Sequence, residues 1–381
     1  MKILHTSDWH LGRSFHREGM LDAQGVFVDH LVETARCERV DLVAVSGDVY
    51  DRALPPVDAV RLANEALGRL AGLDVPVVIT AGNHDSARRL GFAADLIAAA
   101  GVHLRTDPER AHVPVLCDDR HGQVAVYGLP YLEPELLREP WNLRERSHVA
   151  VVGEAMERVR RDLAGRPGSR AVVLAHAWVT GAQASDSERD ISVGGLSQVP
   201  SSVFAGIDYV ALGHLHGRQQ VSERIRYSGS PLAFSFSEAR HVKGSWLVDL
   251  GASGIKSAEF VEAPVPRRLA VLRGRLDDLL ADPAHAAVEN CWLQVTLTDP
   301  QRPRAAMERL RAGRFPHTLV LGFAPESGDA IRRATPQVAG RSDREIVDDF
   351  VTAVRESPAD EAERVLLQAA CDACAGGQVD A

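Results

Sequence analysis

Short runs of apolar, β-branched-rich residues recur along the first part of the chain, at Lys2 to Thr6, Asp41 to Ser46, Val75 to Ala81, Ala171 to Ala175 and Tyr209 to Leu212. Runs of this length bounded by Gly or Asp read as buried strands. Between them the period changes to helical. Within Asp22 to Arg39 the residues Val26, Phe27, His30, Leu31, Val32 and Ala35 make one face, and Val57 to Leu73 repeats it with Val60, Leu62, Ala63, Ala66, Leu67 and Leu70. A third helix is predicted over Arg88 to Ala100, and a fourth over Glu154 to Leu163, ended by the breaker run Gly165-Arg166-Pro167-Gly168. Strands alternating with helices from Met1 to about Val261 favour a layered α/β domain. The strands expected at Val113 to Cys117 and Gln123 to Leu129 are short and alternate, so the second half of the sheet should be mixed or antiparallel.

Ala263-Pro264-Val265-Pro266 reads as a linker, because each proline stiffens the chain and removes a strand donor. Beyond it, strands over 268–273, 290–298 and 317–323, with a helix over 303–312, predict a small α+β domain without a catalytic cluster. Ser342 and Glu345 form a capping box, after which Ile346, Val347, Phe350, Val351 and Val354 line one helical face. Ser357-Pro358 should start a second helix, striped by Ala362, Val365, Leu366 and Ala369 and ended at Gly376-Gly377. Such a hairpin can pack on its own protein or dock a partner. The expected divisions are a core over 1–262, a small domain over 267–336 and a helical hairpin over 342–376.

At 381 residues the chain exceeds one compact core of ordinary size, and 45% hydrophobic with 25% charged residues is globular composition. A net charge of -9 argues against coating nucleic acid by bulk attraction, although a local basic strip or bound cations could still receive phosphates. The cysteines number 5, odd and dispersed, which suits a reducing compartment better than a disulfide framework. Cys371 and Cys374 form a CxxC with no second pair at zinc-ribbon spacing. No apolar leader opens the chain and no run approaches the ~18 apolar residues of a membrane span, so a cytoplasmic protein is expected.

The chemistry gathers where these strands stop. Asp8-Trp9-His10, Gly47-Asp48-Val49-Tyr50-Asp51-Arg52, Gly82-Asn83-His84-Asp85, His176 and Gly213-His214-Leu215-His216 each follow an apolar run, and in open α/β sheets the carboxyl ends of strands are where ligands are held. Two carboxylates, an asparagine and four histidines without cysteine suit manganese, iron or zinc rather than a structural thiolate site. That is too many ligands for one ion and about right for two. Two divalent ions ~3.5–4 Å apart can share a carboxylate and clamp a phosphate while water attacks phosphorus in line. The chemistry implied is hydrolysis of phosphoesters.

The order DxH, GDxYDR, GNHD, H, GHLH resembles that of the calcineurin-like metallophosphoesterases. The strings Leu4-His5-Thr6-Ser7-Asp8-Trp9-His10-Leu11-Gly12, Ala81-Gly82-Asn83-His84-Asp85-Ser86, Ala211-Leu212-Gly213-His214-Leu215-His216 and Tyr227-Ser228-Gly229-Ser230-Pro231 narrow the likeness to bacterial repair nucleases of the SbcD type. It spans essentially the whole chain and is most specific before about residue 265. The resemblance implies a layered α/β metallophosphoesterase sandwich with a small α+β capping domain and C-terminal helices. It implies one ion on Asp8, His10 and His216, a second on Asn83, His176 and His214, and Asp48 bridging, with Mn2+ as the expected metal. His84 resembles the family histidine that steadies transition-state charge or protonates the leaving oxygen, and Asp51 the carboxylate that orients it. Asp85 and Arg52 are expected in supporting roles, and His5 in the core.

The same resemblance implies a homodimeric exonuclease and endonuclease that cleaves duplex DNA ends and hairpins with an SbcC ATPase partner, and it turns the C-terminal hairpin toward docking on that partner. The nucleotide would be bound by the partner, in keeping with the lack of a G-x-x-x-x-G-K-[ST] loop here. Two alternatives stand: a phosphoesterase of the same fold acting on a small molecule, and a non-catalytic tether of DNA ends. Within the polar loop Ala182 to Val199, the segment Ser185 to Gly195 resembles the family's corresponding segment and has no residue-level role in this reading.

Overall fold

A computed structural model describes residues 1–192, 198–325, 342–355 and 357–376. Two compact units emerge, Met1–Ala324 and Pro325–Ala381. Within the first, two six-stranded sheets lie face to face. One runs in the order Gly254–Glu262, Gly244–Gly251, Lys2–Thr6, Leu42–Ser46, Val77–Thr80, Val102–Arg105, and the other Gln219–Gln220, Ile225–Tyr227, Tyr209–Gly213, Arg170–His176, Gly122–Leu129, Val115–Asp119.

The fully apolar runs have a simple cause: their strands are covered on both faces. Ile3, Leu42, Ala44 and Val78 point into the space between the sheets, where they meet Val124, Val126, Val172, Leu174 and Ala211. Their alternate neighbours Leu4, Val43, Val45, Val77 and Ile79 point outward onto the helices Leu21–Glu38 and Val57–Ala71. The second sheet repeats this, with Val173, Ala175, Val210 and Leu212 turned toward helix His148–Ala164. The result is a four-layer α/β/β/α sandwich, as the resemblance implied.

Several local expectations need correction. The strand pair Val115–Asp119 and Gly122–Leu129 is antiparallel and belongs to a mixed sheet, as expected; that sheet is a second one rather than the far half of the first, and its central strands Gly122–Leu129, Arg170–His176, Tyr209–Gly213 and Ile225–Tyr227 are parallel. The helix expected over Arg88 to Ala100 is broken into Ala87–Leu90 and Ala94–Ala98. Gly91 there packs against Thr106, where a Cβ would stand 2.2 Å from the threonine Oγ1, and Ala93 takes a left-handed φ of 58°. Helix His148–Ala164 begins earlier than the expected Glu154, because Ser147 caps it by accepting the Ala150 N–H and Val151 and Val152 already belong to its buried face.

The small domain folds as three parallel strands, Leu269–Gly274, Trp292–Leu297 and Thr318–Phe323, with helices Leu276–Ala281 and Ala306–Gly313 in its crossovers. The first of those helices was not predicted. Trp292 stacks on Phe15 at 5.4 Å, and Leu269, Leu319 and Val320 pack on the Phe15, Phe234 and Phe236 cluster.

In the second unit, helix Asp343–Arg355 starts at the expected capping box, with Ser342 Oγ donating to Glu345 Oε2 at 2.9 Å. Helix Glu361–Gly376 starts later than Ser357-Pro358. Its box is Asp360 with Glu363: the Glu363 N–H donates to Asp360 Oδ1 at 2.8 Å and the Asp360 N–H to Glu363 Oε2 at 3.0 Å. A carboxylate at that position also meets the helix N-terminal dipole favourably. Phe350, Val354, Val365 and Leu366 are exposed. Among the described residues no helix is long and apolar enough to cross a membrane. The expected loop 182–199 falls partly outside the described residues at 193–197, as does the end of the small domain beyond 325; the Cys374 side chain of the CxxC is also outside them.

His5 lies in the core, as expected. Its Nδ1 meets Tyr209 Oη at 2.7 Å and its Nε2 meets the Leu212 carbonyl at 3.1 Å. Burial pushes its pKa down to about 3. The unfolded chain therefore binds a proton below about pH 6.5 that the folded chain refuses, so stability is full above that pH and is lost as pH falls toward 3. Denaturant unfolding between pH 6.5 and 5 should show a loss ~2 kcal/mol greater in the parent than in His5→Gln; parallel slopes would reject this account.

Candidate active site

Four parallel strands from two sheets deliver their carboxyl ends to one place. Lys2–Thr6 and Leu42–Ser46 bring Asp8, His10 and Asp48 from one side, and Arg170–His176 with Tyr209–Gly213 bring His176, His214 and His216 from the other. The turn after Val77–Thr80 adds Asn83 and His84. The backbone leaves these strands in tight turns: Asp8, His10, Asp48 and His214 have φ of 53°, 45°, 49° and 99°. Such left-handed positions cost on the order of 1 kcal/mol or more each for a residue with a Cβ, and hydrogen bonds between the turns hold them. Asp8 N–H donates to the Gly47 carbonyl at 3.1 Å and His10 N–H to the Asp48 carbonyl at 2.9 Å.

The glycines of the motifs are close-approach residues. A Cβ on Gly47 would lie 2.2 Å from His176 Nδ1, one on Gly82 2.1 Å from Asp48 Oδ1, and one on Gly213 1.8 Å from the Ser46 carbonyl oxygen. Each would occupy space that a ligand side chain or its supporting backbone fills.

The side chains converge. Nε2 of His10 and His216 stand 3.0 Å apart, and Asp8, His10 and His216 form one buried group whose ligating atoms all lie within 4.8 Å of one another. Asp8, Asp48 and His176 form a second such group and His10, Asp48 and His84 a third. Asn83 Oδ1 meets His176 Nε2 at 2.9 Å and His214 Nδ1 at 3.2 Å. The His214 N–H donates to Asp8 Oδ1 at 2.9 Å. All the residues expected as metal ligands are thus within one cluster, and apart from the half-buried Asn83 none is more than 3% exposed.

Electrostatics divides the two carboxylates. Burial pushes Asp8 up to about 6, the charges of His176 and His216 only partly offsetting it. Burial acts on Asp48 too, but His176, by charge and hydrogen bond, and then His10 and His84 outweigh it and hold Asp48 well below the usual carboxylate range. His176 is pushed up to about 9 because Asp48 overcomes its desolvation, whereas burial drives His10 and His214 well below the usual imidazole value. Buried acids and imidazole nitrogens aimed at one point, with His10 Nε2 3.0 Å from His216 Nε2 and Asn83 Oδ1 between His176 and His214, fit divalent cations with mixed oxygen and nitrogen ligation.

His84 and Asp51 meet differently from the expectation. The His84 N–H donates to Asp48 Oδ1 at 2.8 Å, and its Nδ1 faces the main-chain carbonyl of Asp51, also at 2.8 Å. The Asp51 carboxylate instead lies 3.8 Å from His10 Nδ1, 3.7 Å from Arg13 Nε and 3.6 Å from Arg52 Nη2. The left-handed turn at Asp48 redirects the following segment so that backbone, not side chain, reaches His84. Asp85 clamps the two turns, accepting N–H groups of Val49 at 3.1 Å, Tyr50 at 2.9 Å and Gly82 at 2.9 Å. Burial, with Asp48 adding to it, pushes Asp85 up to about 7. Arg52 is exposed.

Some supporting residues escaped the sequence reading. Gln24 Nε2 donates to the His10 carbonyl at 2.7 Å while its Oε1 accepts the Gly12 N–H at 3.0 Å. It is a polar residue on the buried face shared by Phe27, Val28, Leu31 and Ala35, and that breach of the stripe is the signal that could have found it. Ser7 Oγ donates to Asp8 Oδ2 at 2.5 Å. Ser187 and Glu188, on the loop left without a role, contact His216: Ser187 Oγ lies 2.5 Å from His216 Nδ1, and Glu188 Oε1 accepts the His216 N–H at 2.7 Å.

The sequence pattern of the calcineurin-like phosphoesterases matches residues 1–218. The chain belongs to that family. As a calcineurin-like phosphoesterase it is a metal-dependent phosphoester hydrolase, and the buried ligand cluster lies within the matched span. Residues 265–355 match a second pattern, the type 5 capsule protein repressor C-terminal domain. Among solved structures, the chain is similar to TT1561 of Thermus thermophilus (14% identity, TM-score 0.41, 69% of this chain and 99% of that one). It is similar also to a dimetal phosphatase from Danio rerio (12%, 0.41, 69% and 99%) and to GAP50, the anchor in the inner membrane complex of Plasmodium (11%, 0.38, 86% and 98%).

Gly82→Ala should displace Asp48 and lower metal-dependent phosphoesterase activity by about 100-fold or more, since an Å-scale misplacement at a reacting centre costs that much. Gly68→Ala, in an exposed helix position with nothing within 4 Å, should leave activity intact and raise stability by ~0.5–1 kcal/mol. Steady-state assays and thermal melts on both variants check this; equal activity would reject the close-approach role.

Proposed function

We propose that this phosphoesterase is a two-metal nuclease of the SbcD type, hydrolysing phosphodiesters at duplex DNA ends and in hairpins as exonuclease and endonuclease. The carrying observation is that Asp48 is common to two ligand groups, His10 with His84 and Asp8 with His176, as a carboxylate shared between a pair of cations requires. Asp8, His10 and His216 would hold one ion and Asn83, His176 and His214 the other, with Asp48 between them. Mn2+ is the expected metal. Bound there, the pair of cations supplies charge for the phosphoryl oxygens and lowers the pKa of attacking water.

This chain's own residues do the rest. His84 carries its Nδ1 proton to the Asp51 carbonyl, which leaves Nε2 free to hold a second proton for the departing oxygen. Phe234 packs its ring against His10 at 5.3 Å and His216 at 5.6 Å and keeps water from that flank. Arg13, its guanidinium 4.7 Å above Phe234 and its side chain 17% exposed, would be a cation for the substrate backbone.

The motif strings and the domain over 265–355 support a nucleic-acid substrate over a small molecule, for which the small domain and hairpin are superfluous. The reading includes a homodimer, supported by Phe92, in the turn between two short helices, and Leu96, on the second of them, which are 80% and 79% exposed. It includes an SbcC-type ATPase partner docked by the C-terminal hairpin, supported by the exposed Phe350, Val354, Val365 and Leu366.

Incubation with Mn2+ should degrade a hairpin-ended duplex faster than a nucleotide monoester; the reverse preference would make it a small-molecule phosphoesterase, and no hydrolysis of either a tether. His84→Ala should bind both metals yet lose about 10²–10⁴-fold in turnover, and metal content falling in step with activity would reject the assignment. Removal of residues 342–381 should spare Mn2+-dependent nuclease activity and abolish ATP stimulation by the partner; undiminished partner binding would reject the docking role.

A further inference from the structure

Behind His216 lies a buried polar assembly that hydrolysis does not itself require. Ser187 Oγ is 2.5 Å from His216 Nδ1 and 2.5 Å from Glu238 Oε1. Glu238, 1% exposed, also accepts the Phe234 N–H at 3.1 Å on that oxygen, and its other oxygen is paired with Lys243, 4% exposed. Lys243 Nζ donates further to the His216 carbonyl at 2.9 Å and to Ser230 Oγ at 3.0 Å. The main chain of the same loop is tied down by Arg13, whose Nη2 donates to the Ser187 carbonyl at 3.1 Å, and by Ser237, whose Oγ accepts the Asp186 N–H at 3.0 Å.

The proton count in this chain has one consistent solution. An ammonium group, a backbone N–H and a hydroxyl all converge on Glu238, so its carboxylate is an acceptor only. Ser187 has a single hydroxyl proton, and the short contact to Glu238 takes it. Its oxygen can then only accept from His216 Nδ1. The imidazole is thereby fixed with its proton on Nδ1 and a bare lone pair on Nε2, the atom that stands 3.0 Å from His10 Nε2 in the Asp8, His10 and His216 group. The backing of a metal-ligating imidazole by an acceptor on its far nitrogen orients the ring and raises its basicity.

We propose that Ser187, backed by the Glu238–Lys243 pair, is a positioning residue that sets the tautomer of His216 and so the cation affinity of the Asp8, His10 and His216 position, selectively over that of the other. The inference rests on the two-metal reading above. It gives the 185–192 loop a defined role, because docking of that loop on the 235–243 segment completes one half of the metal centre.

Mn2+ titration of the full chain, followed through the electron paramagnetic resonance of free Mn2+, tests it on the parent, Ser187→Ala and Ser187→Thr. The parent should take up two ions. Ser187→Ala should weaken one binding step about 10–100-fold and leave the other within about threefold, while Ser187→Thr, which keeps the hydroxyl, returns it to near the parental value. Thermal melts in chelator should coincide for all three, separating positioning from folding, and 15N chemical shifts of labelled His216 should report an Nδ1–H ring in the parent and a tautomer mixture in Ser187→Ala. Unchanged two-step binding in Ser187→Ala, equal weakening of both steps, or failure of threonine to rescue would overturn the inference while leaving the two-metal reading standing. A parent that takes up fewer than two ions would overturn both.

Discussion

An ionised carboxylate sealed from water must have positive charge beside it, and in this fold that requirement is met at Asp48. Its oxygen lies 3.4 Å from His176 Nε2 and 3.6 Å from His10 Nε2, in a place 1% exposed. Isolated burial of such a charge would cost several kcal/mol. The second buried acid, Asp8, shows what happens without equal compensation, since its pKa is pushed up to about 6. A site with more buried negative charge than its own cations can offset is built to recruit others, and this is the physical sense in which the cluster is a metal centre rather than a polar core.

That arrangement depends on close approach of two sheets. The imidazole of His176 comes from the second sheet and must reach past Gly47 of the first, where even a methyl group would collide with it. The Ser46 carbonyl accepts from His176 Nδ1 at 3.0 Å, and Ser46 Oγ donates to the Ala211 carbonyl at 2.8 Å. Hydrogen bonds between the sheets at this rim thus fix the ligands before any cation arrives, and the apolar interior around Ile3, Leu42, Val172 and Leu174 keeps the layers in register. The strained φ values at Asp8, His10, Asp48 and His214 persist because this framework over-determines them.

Much of this was legible in the sequence, for identifiable reasons. Strands buried on both faces leave continuous apolar runs, and short turns at their ends force polar residues onto one rim, so Asp8, Asp48, His176 and His214 could be grouped without coordinates. What stayed hidden depends on where backbone goes after a turn. Nothing in Gly47-Asp48-Val49-Tyr50-Asp51 distinguishes the Asp51 carbonyl from its carboxylate as the partner of His84. The pairing of Ser187 with Glu238 joins residues far apart in sequence through an irregular loop, which no periodicity reveals. The parallel strands of the small domain were likewise unreadable, because a six-residue crossover helix, Leu276–Ala281, is too short to show a 3.6-residue stripe.

Phe234 has two neighbours that belong to different parts of the molecule. One side of its ring meets His10 and His216, while the cluster it shares with Phe15 and Phe236 receives Leu269, Trp292, Leu319 and Val320 of the three-stranded sheet. Close-packed aromatic rings transmit displacement instead of absorbing it. The ring that closes one flank of the two imidazoles is thus also part of the seat on which the three-stranded sheet rests.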